Sequence, residues 1–230
     1  MKLITFCILF SLLFTVTIFS QPKVQEEILA PEQFGDTFKS IWNEVKKITE
    51  KFQEQTAKKN EFETSTEFQK RVAREREMMI KNISTINTEK KLSTKTFVVL
   101  FKAELSQYNA DKQEYTVKSS TKILIPPTSE QVQIECSKNP YLTISEMIQK
   151  AYKFSYLVLR SEPDFIWRTD NATAKLAKSN ETNIFFKVWM KVDLTQPLIK
   201  NQAQVVIKPT KIVLLNNANN TVYWTKDFVQ

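Results

Sequence analysis

Glycine and histidine are almost missing from this chain of 230 residues, which has one glycine, Gly35, and no histidine. A phosphate-binding loop needs glycines whose backbone can approach the ligand, so this class of site is excluded. Zinc sites built from His and Cys clusters and nucleophiles activated by a histidine base are excluded as well. We therefore expect a protein that is not an enzyme, and we assign no catalytic residue, metal ligand or cofactor.

Residues 1–20 have the pattern of an export signal. Lys2 supplies a positive charge, and an apolar run from Leu3 to Phe19 follows it. The run is slightly short for a membrane-spanning helix, which needs about 20 apolar residues, so cleavage between Ser20 and Gln21 is favoured over an uncleaved anchor. The mature protein would then be periplasmic or secreted and would have no membrane span.

Cysteine is scarce, and cleavage would leave Cys136 without an intramolecular disulfide partner. Cys136 belongs to an alternating segment in which Val132 and Ile134 share its face. We expect a small buried hydrophobic residue there rather than a reactive thiol, since no histidine is present to lower its pKa.

The formal net charge of +8 is basic. In an exported protein such a charge is compatible with anionic lipid or acidic polysaccharide as a partner, but the even spread of the lysines favours an ordinary solvated basic surface. The lysines are spread along the chain and no nucleic-acid-reading motif is present, so we expect no nucleic-acid partner.

The first half of the chain predicts two amphipathic helices after a polar, flexible leader over residues 21–30. Beyond Pro31, apolar residues recur every three or four positions, which places them in one stripe along a helix. These residues are Phe34, Phe38, Ile41, Val45, Ile48 and Phe52. The stripe lasts under three heptads, so packing within the monomer is favoured over a coiled-coil dimer.

The second helix begins at a capping box, in which Thr64 and Glu67 satisfy each other's backbone amides. It runs toward Ile83. Glu67 and Arg71 are four residues apart and are expected to pair along the helix surface.

From Thr94 onward the apolar period changes to two, which is typical of strands. The predicted strands are 97–105, 115–117 with a possible extension over 123–125, 132–136, 156–159, 184–194, 205–207, 212–215 and 222–224. A short helix is predicted at 143–153, from a second capping box, and a short polar helix or loop at 170–179. Together these elements predict an α+β fold, with two N-terminal amphipathic helices, a mainly antiparallel β-sheet with short helical insertions, and one domain over 31–230.

One segment resembles a motif of uncharacterised exported bacterial proteins. The residues that carry the resemblance are Phe62, Glu63, Thr64, Glu67, Phe68 and Arg71. A turn at Tyr108-Asn109-Ala110-Asp111 resembles the Tyr-Asp-Ala-Asp turn of those proteins. The resemblance covers residues 60–117 and implies a bacterial envelope setting without an assigned reaction. Helix capping explains the motif without any function, and that explanation is favoured.

The candidate binding residues lie on one face of the predicted strand 184–194: Phe185, Lys187, Trp189 and Lys191. The opposite face is apolar, so the strand has bulk on both sides. A central strand covered on both faces, with lysines that extend past the aromatics, is favoured. The alternative is an open aromatic and basic surface for an acidic glycan or a lipid head group.

The leading hypothesis is an exported, non-enzymatic protein of the envelope that binds or scaffolds an envelope protein, an anionic lipid or a polysaccharide. The alternative is a hydrolase of the cell envelope that uses carboxylates. Glu75 and Glu77 diverge on a helix, whereas Glu162, Asp164 and Asp170 lie in a loop-rich stretch where they could converge.

Overall fold

The computed structural model describes residues 25–160, 165–194 and 201–228. In these residues the chain forms an α+β fold with mostly antiparallel sheets, as predicted. Among them, no helix has the length and apolar character needed to cross a bilayer. The predicted signal segment, residues 1–20, lies outside the described residues.

The helices follow the apolar periods of the sequence. They are α1 (Pro31–Thr56), α2 (Ser65–Glu89) and α3 (Asn171–Ser179). The predicted stripe of α1 is buried, except for Ile48, which is half-buried. Thr49 lies on the buried side of α1, where its hydroxyl donates to the Val45 carbonyl at 2.9 Å.

Twelve strands are found in the described residues, and three sheets contain them. They are β1 (Gln25–Leu29), β2 (Lys95–Lys102), β3 (Glu104–Leu105), β4 (Glu114–Lys118), β5 (Lys122–Ile125), β6 (Val132–Cys136), β7 (Leu142–Gln149), β8 (Tyr152–Leu159), β9 (Phe165–Arg168), β10 (Ile184–Asp193), β11 (Ala203–Asn216) and β12 (Thr221–Asp227).

The main sheet has the order β1-β2-β10-β11-β12, and β6 pairs with the first half of β11. Its pairs are antiparallel except β1 with β2 and β6 with β11, which are parallel. The expectation of a flexible leader over 21–30 is wrong for Gln25–Leu29, because these residues form the strand paired with β2.

Two smaller sheets complete the fold: β3-β4-β9 and β5-β8-β7. The turn predicted after Tyr108 joins β3 to β4. Residues 123–125 do not extend β4, as the sequence suggested, but belong to β5 in the other small sheet.

The helix predicted over 143–153 is wrong, since this stretch forms most of the hairpin β7–β8. The eight cross-strand residue pairs of the hairpin stabilise it more than a capping box at Thr143 and Glu146 would stabilise a helix. The hairpin turns at Lys150 and Ala151, which have φ angles of 47° and 67°. Two such residues match the twist of paired strands, a geometry that usually selects glycine or asparagine.

The segments 205–207 and 212–215 are one continuous strand, β11, rather than two. A bulge at Thr210 lies between the pairs Lys211–Trp189 and Pro209–Met190. Proline cannot donate to a strand ladder and is tolerated at such irregular positions. The predicted asparagine-rich turn joins β11 to β12, and Asn220 has a φ of 58°.

Helix α1 lies at the junction of the sheets. It packs against strands β1, β2, β5, β6 and β11 and also contacts helix α2. Phe34 of α1 meets Phe97 of the main sheet edge to face, with ring centroids 5.6 Å apart. Helix α1 therefore covers part of the inner face of the main sheet.

The one glycine lies where α1 meets β5. A Cβ atom on Gly35 would be 2.6 Å from the backbone carbonyl oxygen of Leu124 and 3.5 Å from a methyl group of Ile123. Ordinary side chains cannot approach a backbone oxygen so closely, so only glycine allows this packing distance.

We predict that Gly35→Ala destabilises the protein by about 1–2 kcal/mol. Overpacking against a backbone atom costs about 1–3 kcal/mol, which exceeds the roughly 1 kcal/mol that alanine adds through helix propensity. Urea unfolding measures the difference, with the exposed substitution Lys47→Ala on the same helix as control. Unchanged or increased stability of Gly35→Ala would contradict the steric account.

Candidate functional site

The candidate residues lie along the middle of the main sheet, on strand β10. We call Phe185, Lys187, Trp189 and Lys191 the outer row, and the side of the sheet that they occupy the outer face. β10 lies between β2 and β11, so the prediction of a central strand is confirmed. The expectation that both faces are covered is wrong, because the inward residues are buried while the outer row stays partly exposed.

Trp189 organises the centre of the outer row. Its indole Nε1 donates to the carboxylate of Glu26 at 3.1 Å. The ammonium groups of Lys187 and Lys211 lie 4.9 Å and 5.7 Å from the ring centroid. The indole ring therefore attracts one cation from its own strand, Lys187, and one from β11, Lys211.

A second aromatic cation pair lies at the start of β10. The ammonium group of Lys102 is 4.8 Å from the centroid of Phe185 and donates to the carbonyl of Glu181 at 2.6 Å. Burial lowers the pKa of this lysine. The Lys102 ammonium group is thus fixed by the backbone carbonyl of Glu181 and by the ring of Phe185.

Lysines slightly outnumber carboxylates on the outer face, where the strand register also places Glu26, Glu135, Asp193 and Asp227. The strand register places five lysines there, all partly exposed: Lys102, Lys187, Lys191, Lys208 and Lys211. Lys208 pairs with Asp193, and Lys211 is 3.8 Å from Asp227. Within the described part of the chain, Lys187 and Lys191 have no carboxylate at ion-pair distance. These two ammonium groups are available to an external anion.

Sequence reasoning missed the members of this surface that come from other strands. Glu26 is 163 residues from Trp189, and its segment was expected to be a flexible leader. Lys102 and Lys211 have no distinguishing sequence signal, since only strand register brings them beside the outer row.

The motif around Thr64 is a structural joint between the first two helices. Thr64 accepts from the Glu67 amide at 3.2 Å, and Glu67 accepts from the Thr64 amide at 2.8 Å. The predicted capping box is confirmed. The predicted pair of Glu67 with Arg71 is wrong, because the Glu67 carboxylate is occupied by Thr64.

Arg71 instead forms a bidentate pair with Glu63, with both nitrogen–oxygen distances at 2.8 Å. It also donates to the carbonyls of Gln55 and Lys58, where α1 ends. Helix ends leave carbonyls without helical partners, and Arg71 satisfies that of Gln55, while the Lys58 carbonyl belongs to the segment that follows α1. The hydrogen bonds from Arg71 lower the pKa of Glu63 to about 2.

The two phenylalanines of the motif differ. Phe68 is half-buried, and the Arg71 guanidinium lies 5.1 Å from its ring centroid. Phe62 is 92% exposed. The joint therefore accounts for Phe68 but gives no reason for Phe62.

Among the described residues, the carboxylates considered for catalysis do not form one group. Glu75 is buried on α2 beside Arg74, at 3.0 Å, whereas Glu77 is exposed. Asp170 caps α3 by accepting from the amides of Ala172 and Thr173, both at 2.9 Å. Glu162 and Asp164 lie outside the described residues. In the part of the chain that the structure covers, no group of three or more acidic or cysteine side chains could hold a metal.

Cys136 packs against the core as a partly buried side chain, in agreement with its predicted strand face. Burial raises the pKa of its thiol to about 11. The thiol is therefore protonated at neutral pH.

Residues 42–174 match the family model described as a domain of unknown function, DUF4852. The chain belongs to this family. The DUF4852 region holds most of α1, all of α2 and strands β2 to β9, whereas the outer row lies beyond it. Neither the curated proteins nor the solved structures contain a match to this chain.

We predict that Arg71→Lys lowers stability, although it preserves the charge. Lysine cannot make the forked pair with Glu63 and reach two carbonyls together. Thermal unfolding measures the effect, with Arg76→Lys, an exposed position on the same helix, as control. Equal melting temperatures for the two variants would show that the fork is dispensable.

We predict that Glu63 makes stability sensitive to acid. Its pKa falls from 4.5 to about 2 on folding, so its contribution is complete above pH 4.5 and is lost as the pH falls toward 2. Glu63→Gln should be less stable at neutral pH and should lose less stability across this window. Melting curves at several pH values test this, with exposed Glu61→Gln as control. Parallel curves for Glu63→Gln and the wild type would refute the linkage.

Proposed function

We propose that this protein is an exported, non-enzymatic protein of the bacterial envelope that binds anionic material through the outer face of its main sheet. The observation that supports this proposal is that Lys187 and Lys191, on either side of Trp189, have no carboxylate partner among the residues that the structure describes. The envelope setting rests on the signal-like pattern of residues 1–20 and on the resemblance described above.

The outer face suits a ligand with repeated anionic groups better than a single small anion. A partly exposed ion pair contributes about 0.2–1 kcal/mol, so the two available lysines together contribute at most about 2 kcal/mol, which is weaker than millimolar affinity. A polymer or a surface offers the same contacts many times and so gains affinity through multivalency.

The spacing of the lysines in the outer row suits a ligand with repeated anionic groups. Alternate residues of a strand are about 6.6 Å apart, so Lys187 and Lys191 are separated by about 13 Å along the strand. Trp189 lies between them and holds Lys187 and Lys211 over its ring. Acidic polysaccharide and anionic lipid head groups share the required chemistry, namely repeated carboxylate or phosphate groups.

We predict that Lys187→Gln/Lys191→Gln weakens binding to an acidic polymer about fivefold or more, since two exposed ion pairs are lost. Wild-type binding should also fall with salt, because exposed charges are screened. Alginate and phosphatidylglycerol vesicles, measured in parallel, distinguish a polysaccharide from a lipid head group.

The matched control is Lys47→Gln/Lys51→Gln, which removes the same charge from the exposed side of α1. This variant should bind like the wild type. Equal losses of affinity in the two variants would show that only the net charge of the protein matters. Absence of binding by the wild type would refute the proposal of an anionic ligand. Binding to an envelope protein alone would indicate a scaffold that uses other surfaces.

A further inference from the structure

The hairpin β7–β8 projects from the body of the protein. Its base is anchored in the core by Leu142 and Leu157, which are 1% and 0% exposed. Beyond this base, every residue from 145 to 153 is exposed. The distal half of the hairpin is therefore a two-stranded ribbon with solvent on both faces.

The tip of this ribbon is apolar on both faces. Ile148 is 76% exposed, Tyr152 is 72% exposed and Met147 is 42% exposed. Met147 pairs with Phe154, and Tyr152 pairs with Gln149, so Met147 and Tyr152 share one face. Ile148 points to the other face, because alternate residues of a strand face opposite ways.

We infer that the tip of β7–β8 inserts into the surface of a lipid bilayer that contains anionic lipids. A flat protein surface, on a partner or on a second copy of this chain, would cover one face of the ribbon and leave the other exposed. An apolar phase that surrounds the tip buries Ile148 and Tyr152 together, and interfacial binding grows with the apolar area buried.

The charges of the tip are complementary to anionic head groups. Residues 147–152 contain Lys150 and no carboxylate. The nearest acid, Glu146, pairs with Lys153 at 2.7 Å on the side toward the body. Tyrosine is also a side chain favoured at the membrane–water boundary, where its ring is buried and its hydroxyl is hydrated.

The dimensions agree with shallow insertion. The tip extends about three residues beyond Glu146, which is about 10 Å of strand. Interfacial segments reach about 5–10 Å into the boundary between head groups and acyl chains. The outer row belongs to a different sheet, so this membrane contact does not depend on the proposed anion-binding surface.

The test is co-sedimentation of the protein, as isolated after export, with vesicles of phosphatidylcholine with and without phosphatidylglycerol. Ile148→Ser/Tyr152→Ser removes apolar area at exposed positions without adding charge. Binding should weaken at least about tenfold, given the area removed. The matched control Ile80→Ser/Leu176→Ser changes side chains that are 49% and 56% exposed elsewhere, and it should bind like the wild type.

Salt and the outer-row variant separate this site from the proposed function. Part of the wild-type binding should persist at high salt and in Lys187→Gln/Lys191→Gln, since apolar insertion is not screened. Absence of vesicle binding, equal binding by the tip variant, or binding that vanishes in either of those conditions would overturn the inference. A wild-type dimer that the tip variant dissociates would identify the hairpin as a contact between two copies and would also overturn it.

Discussion

The position of α1 is the constraint on which the other elements depend. This helix contacts the main sheet, the edge of the small sheet at β5, and α2. Its approach to β5 is limited by a backbone oxygen, that of Leu124, and Gly35 is the residue that permits it. A larger residue would push α1 away and loosen its packing on both sheets, because close-packed interiors relax only partly.

The same helix gives the main sheet two different faces. It packs against the inner face at Phe97 of β2, while Phe165 of β9 packs against Phe186 of β10 on the same face. The aromatic and basic residues of the outer row lie on the other side of the sheet. There, Trp189 holds lysines over its ring while Glu26 fixes the indole by its N–H. The separation of an apolar inner face from a cationic outer face is what supports binding as the function, rather than chemistry at a pocket.

Most of the motif within the DUF4852 region is a joint. Thr64 and Glu67 begin α2, while Glu63 and Arg71 connect this helix to the end of α1. Such a joint ties the start of α2 to the end of α1 through charge-assisted hydrogen bonds, which are stronger than neutral ones. Phe62 lies outside this explanation because its ring is almost fully exposed. Membership in the family therefore describes how this half of the chain is built more than what it binds.

The sequence by itself determined the elements whose pattern is local. The apolar stripe of α1, the capping box at Thr64 and the alternation along β10 each rest on neighbouring residues, and each was found. Tertiary structure decided what depends on partners distant in the chain. It made the stretch after Thr143 a hairpin, because cross-strand pairs outweigh a local cap. It also turned the leader into β1 and brought Glu26 to Trp189, since strand pairing, unlike helix periodicity, is not encoded by nearby residues.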